Sequence, residues 1–162
     1  MRFIIFPVLL FFLPVLASAQ QRQYATANKQ AIKYFALANQ SLDEDLYDEA
    51  IAQLQKATEA DDKFVEAHFV LADVYRLTKQ HQLAILQYLK VIRLNPDYNR
   101  SVYLKIGDEE FNISRYDDAQ QYLEKYLSNT DITPQNKRYA QKRIADCKFS
   151  INALQHPVPF KP

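Results

Sequence analysis

From Tyr24 to Ile151 apolar residues recur at the i, i+3, i+4 and i+7 spacing of a buried helical face, which predicts a run of amphipathic α-helices. The pattern also repeats on a longer scale. The first unit, residues 31–64, carries Tyr34, Leu37, Ala38, Tyr47, Ala50, Leu54 and Ala57. The second, 65–98, carries His68, Leu71, Ala72, Tyr75, Ala84, Tyr88, Val91 and Pro96. The third, 100–133, carries Tyr103, Ile106, Gly107, Tyr116, Ala119, Leu123 and Tyr126. Ala50, Ala84 and Ala119 follow one another at 34 and then 35 residues, the extra one falling in the loop at Tyr98 or Asn99.

Residue size explains the period. Ala38, Ala72 and Gly107 let a paired helix approach closely, and Ala50, Ala84 and Ala119 do the same from the opposite side. Bulky neighbours fill the remaining space. One hairpin cannot bury its apolar face alone, so three are expected to stack. Upstream, Tyr24, Ala27 and Ala31 extend the helical period, which places the start of the first helix near Arg22. Downstream, Thr133-Pro134 reads as an N-cap hydroxyl followed by proline at the first helical position. A capping helix is predicted over 134–154, with Tyr139, Ile144, Cys147, Phe149 and Ile151 set among Lys137, Arg138, Lys142, Arg143 and Lys148 on a basic outer face. The alternating prolines of the segment 155–162 predict an extended tail or linker.

These markers resemble the tetratricopeptide repeat: large, Leu, small and aromatic in a first helix, then Ala, large, Ala in a second, then a turn. Tyr47-Asp48-Glu49-Ala50-Ile51 and Asn95-Pro96-Asp97-Tyr98 carry the resemblance best. Ser41 and Glu110 depart from it where an aromatic residue is usual, as does Asp62 in place of the turn proline. The resemblance implies an all-α superhelix, right-handed, of three hairpins plus a C-terminal capping helix. A second resemblance rests on the layout, the Ala145 to Ser150 helix end and Pro157-Val158-Pro159-Phe160. It is similar to the N-terminal module of Bacteroidota envelope proteins in which such an array precedes a β-propeller and an OmpA-like domain, some of them implicated in type IX secretion.

The first residues stand apart. Arg2, an apolar run from Phe3 to Leu16 broken only by Pro7 and Pro14, and Ala17-Ser18-Ala19 predict a secretory signal peptide over 1–19, cleaved after Ala19. The run is shorter than the ~20 residues of a membrane span. Export, to the periplasm with possible outer-membrane association, is therefore expected. Loss of Arg2 brings the 20 basic side chains level with the 19 acidic ones, a balance that disfavours nucleic acid, which is bound through basic excess. Cys147 is the only cysteine and cannot form an internal disulfide.

Nothing in the chain spells catalysis. His68, His81 and His156 are scattered, and His68 occupies a packing position. The acidic runs Asp43-Glu44-Asp45 and Asp108-Glu109-Glu110 lack the glycine-containing loop of a calcium site and read as solvated faces. No enzyme activity, cofactor or metal is expected. The resemblance implies instead a groove lined by each hairpin's first helix: Ile32, Phe35, Asn39 and Leu42; Glu66, Phe69, Asp73 and Arg76; Ser101, Leu104, Asp108 and Phe111. Phe35, Phe69 and Leu104 would form an apolar ladder, beside the polar groups of Asn39, Asp73, Arg76 and Asp108. A protein or peptide partner is expected there. The Lys and Asn set that clamps a C-terminal carboxylate is largely missing, its places being taken by Phe35, Asn39, Val70, Ser101 and Lys105. The expected function is a protein-binding scaffold in envelope or secretion-machinery assembly. The alternatives are an oligomerising spacer, or a truncated N-terminal module of a larger envelope protein.

Overall fold

The computed structural model describes residues 24–156; the expected signal peptide and the expected extended tail from Pro157 onward lie outside the described residues. Seven helices and no strand make up this part: α1 Lys29–Asp43, α2 Tyr47–Ala60, α3 Val65–Leu77, α4 His81–Leu94, α5 Ser101–Asn112, α6 Tyr116–Leu127 and α7 Pro134–Gln155. Helices α1 and α2, α3 and α4, and α5 and α6 pair as hairpins. The second helix of each then packs on the next element, α2 on α3, α4 on α5 and α6 on α7. The result is an all-helical superhelix of three hairpins closed by α7.

The small positions sit where the helices cross. Ala38, Ala50, Ala72, Ala84 and Ala119 are wholly enclosed. A methyl group added at Gly107 would meet Leu123 Cγ at 2.7 Å and the Ala119 carbonyl at 3.2 Å, so glycine sets the closeness of α5 to α6. Leu71 and Ile106 show what stacking adds. They are 1% and 0% exposed, while the equivalent Leu37 is 37% exposed, no hairpin packing ahead of its own among the described residues. Burying one such leucine stabilises by roughly 1.5–3 kcal/mol.

Each hairpin turns in the same way. Asp45, Lys79 and Ser114 take φ values of 57°, 59° and 63°. The next residue's N–H then donates five residues back: Leu46 to the Ser41 carbonyl, Gln80 to Tyr75 and Arg115 to Glu110. A second bond runs from the left-handed residue itself to Leu42, Arg76 or Phe111, which completes a Schellman ending on α1, α3 and α5. None of the three is glycine, the residue that fits this conformation without strain.

The first helix does not begin near Arg22. Residues Tyr24 to Asn28 are not helical, and Asn28 caps α1 by accepting from the Gln30 and Ala31 N–H groups. Non-local bonds hold this segment onto the α2–α3 loop. Asn28 Nδ2 donates to the Ala60 carbonyl at 2.7 Å, Thr26 Oγ1 donates to Asp61, and the Ala25 N–H donates to Glu66 at 2.9 Å. Thr133 caps α7, its hydroxyl accepting from Asn136 N–H at 3.2 Å. The basic outer face of α7 is real for Lys137, Arg138, Lys142 and Lys148 but not for Arg143, which turns inward to Asp108. Tyr139 and Phe149 lie in the open, at 42% and 76% exposed, and Cys147 is enclosed.

Candidate protein-binding groove

Helices α3, α5 and α7 border a cleft of about 380 Å³ lined by Arg76, Leu104, Lys105, Asp108, Glu109, Asn112, Tyr139 and Arg143. Three of the expected groove residues meet here: Arg76, Leu104 and Asp108. Asp73 lies just beneath, where it accepts from the Tyr88 hydroxyl and from Lys105 Nζ. Burial and the Asp73 carboxylate raise the Tyr88 phenol well above its ordinary range, so Tyr88 stays a proton donor in this pair. Lys105 also stands 4.5 Å above the centre of the half-buried Phe69 ring.

One turn along the stack the same device recurs. Asp108 accepts from Tyr139 Oη at 2.9 Å and from Arg143 Nε at 3.0 Å, and the Arg143 guanidinium lies 4.4 Å from the centre of the Phe111 ring. In both places a cation on one first-type helix reaches back to the aspartate of the preceding hairpin. These pairs are about three-quarters buried, so solvent screens them only in part.

The other expected residues are not part of this cleft. Phe35 is 5% exposed, enclosed between Tyr24 and Phe64 at centroid distances of 5.5 and 4.9 Å. It is core, and no apolar ladder of three rungs exists. The physical reason is Tyr24, whose ring covers the site from outside the repeat. Asn39 turns its amide back onto the Phe35 carbonyl at 3.0 Å, and Leu42 packs against the larger core cluster. Phe69 and Phe111 are half-buried, in edge contact with Tyr98 and Tyr116.

The acidic run 108–110 is not a solvated face either. Glu109 and Glu110 are 2% and 4% exposed. Glu109 accepts from His81 Nδ1 at 2.5 Å, tying the α3–α4 turn to α5. Glu110 Oε2 is enclosed without a hydrogen bond, and the nearest cation, Arg115 Nη1, is 3.5 Å away. Burial therefore pushes the Glu110 carboxyl above its ordinary value. His68 is a packed histidine, its ring bonded to Gln87 and to the Asp62 carbonyl. Among the described residues no group of three or more His, Cys, Asp or Glu is placed to hold a metal ion. Nor is any described helix long and apolar enough to cross a membrane.

Sequence reasoning left Tyr139 and Arg143, and with them Lys105, Glu109 and Asn112, out of the groove. Treating α7 as the first helix of an unfinished fourth hairpin would have found the first two, because Arg143 stands to Asp108 as Lys105 stands to Asp73.

This stacking is that of tetratricopeptide-repeat domains, and residues 35–99 match the family model described as tetratricopeptide repeat. Solved structures agree on the fold. The first tetratricopeptide-repeat domain of Spaghetti (RPAP3), bound to the HSP90 peptide SRMEEVD, superposes with a TM-score of 0.64 at 19% identity, over 77% of this chain and 95% of that one. The Yersinia enterocolitica type III secretion chaperone SycD, in complex with a peptide of the translocator YopD, gives 0.63 at 14% identity, over 74% and 93%. The MamA protein gives 0.60 at 18% identity, over 82% and 79%. No curated protein sequence matches the chain.

Proposed function

We propose that this protein is a non-enzymatic adaptor that holds a segment of a partner protein in the cleft between α3, α5 and α7. The observation that carries the reading is the cleft itself: about 380 Å³, open between first-type helices, with the apolar Leu104 beside fixed polar groups. Such a mix suits a peptide, whose side chains need apolar contact and whose backbone needs hydrogen-bond partners. Peptide ligands in the Spaghetti and SycD structures support the same use of the fold.

The end-on carboxylate clamp is not the mode here. Asn39 is spent on its own helix and Lys105 on Asp73, so an internal segment of the partner is the ligand. The apolar run and Ala17-Ser18-Ala19 support export, and the envelope-module resemblance supports a place in envelope or secretion-machinery assembly. An oligomerising spacer is the second reading, favoured by Phe149 and Leu154, which are 76% and 70% exposed on α7.

Affinity capture from the periplasm of the native host separates the two. The adaptor reading expects a partner retained by the wild type and lost with Leu104→Glu, with the melting temperature kept. Retention by both proteins contradicts it. Loss of self-association in Phe149→Ser with capture unchanged leaves the adaptor reading standing. For export, sequencing the mature N-terminus should begin at Gln20, and a retained Met1 contradicts it.

A further inference from the structure

We infer that the cleft selects a ligand segment carrying an acidic side chain, Asp or Glu, which binds the guanidinium of Arg76. The inference rests on the groove reading above and concerns what the groove prefers. Three carboxylates lie in or just under the cleft, and each is already engaged through one oxygen. Asp73 takes Tyr88 and Lys105, Asp108 takes Tyr139 and Arg143, and Glu109 takes His81.

The cations are not equally engaged. Lys105 and Arg143 each hold an aspartate, whereas Arg76 makes no close hydrogen bond among the described residues and only borders the Tyr88 hydroxyl and the Asp73 carboxylate. Its closest approach to a carboxylate is 3.8 Å from Nε to Asp73 Oδ1, and that oxygen already serves Tyr88 and Lys105. Nε is enclosed and without an acceptor, while the side chain as a whole keeps 39% of its surface. The stem is thus packed in place, and the guanidinium lines the cleft with outer amines that no carboxylate engages. A guanidinium held in this way loses little freedom on binding and presents a planar fork that fits a carboxylate. Leu104 and Tyr139 across the cleft suit an apolar residue next to the acid.

The carboxylate belongs to a side chain and not to a chain end. The positions that would hold a terminal carboxylate are Asn39, which is turned away, and Lys105, which is paired.

A random dodecapeptide library fused at its C-terminal end to a phage coat protein, so that no peptide carries a free carboxyl terminus, tests this against purified protein lacking residues 1–19. Selected peptides should share an Asp or Glu at one position beside an apolar residue. With Arg76→Gln that acid preference should vanish while the apolar preference stays. The affinity of a selected peptide for wild type should fall about tenfold when its acid is changed to the amide, and should not change for Arg76→Gln. Selected peptides without an acid, or with the same acid preference on Arg76→Gln, overturn the inference and leave the groove reading intact. Recovery of no peptide at all overturns both. Matching far-ultraviolet circular dichroism and melting curves establish that the variant is folded.

Discussion

Between the first and second hairpins the cleft side is aromatic and dry. Tyr24, Phe35 and Phe64 meet ring to ring, and Asn39 bonds its own helix. Between the third hairpin and α7 the same side is ionic, with Asp108 holding Tyr139 and Arg143 across the junction. Register alone would make the two ends alike. What separates them is the neighbour: a tyrosine from outside the repeat seals one end, and at the other a charged helix leaves an open cleft. Position in the repeat says which way a side chain points, and the next element decides whether it becomes core or surface.

The largest effect should come from the sealed end. Phe64 is wholly enclosed and touches both other rings, so Phe64→Ala should cost about 3–5 kcal/mol in urea unfolding. A loss below 1 kcal/mol would mean that the aromatic junction carries little. Next comes the close approach inside the third hairpin. Gly107→Ala gains about 1 kcal/mol of helix propensity but forces its methyl group against Leu123. A net loss of about 1–2 kcal/mol is expected, and a gain would show that α5 and α6 have room to spare.

Glu110 marks the ionic end's weak point. Its carboxyl titrates higher in the folded chain than in the unfolded one, because burial disfavours its charge. The folded state therefore holds the proton longer, and stability falls as pH rises from the ordinary carboxylate value through the raised one. Glu110→Gln should remove that fall and add about 1 kcal/mol at pH 7, with no gain below the unfolded carboxyl's titration. Melting curves of both proteins across pH check this, and parallel curves contradict it.

The smallest effects belong to the turns and the ion pairs. Ser114→Gly relieves a left-handed residue and should stabilise by a few tenths to about 1 kcal/mol. A double-mutant cycle of Asp108→Asn with Arg143→Gln should return a coupling of about 0.5–1 kcal/mol. No coupling would remove the ionic half of the comparison.

The helices and their pairing were legible in the sequence because close packing forces small residues to recur in step, and Ala38, Ala72 and Gly107 do so. The start of α1 was misjudged because Tyr24 and Ala27 happen to continue its period. The contacts that unwind this segment, to Ala60, Asp61 and Glu66, are non-local and leave no periodic trace. Phe35 was misplaced for the same reason. Glu110 was within reach. It occupies the place of the buried Tyr75 in the preceding hairpin, and that register outweighs the look of an acidic run. Arg143 reads as surface when α7 is treated as a cap and not as a further first helix.

The most direct test of the groove is to map where a bound segment lies. Amide chemical shifts of isotopically labelled protein, recorded with a library-selected peptide, should change on α3, α5 and α7 around Arg76, Leu104 and Tyr139. Changes gathered instead on α4 around the exposed Leu83 and Leu86 would place binding on the opposite helices and contradict the account.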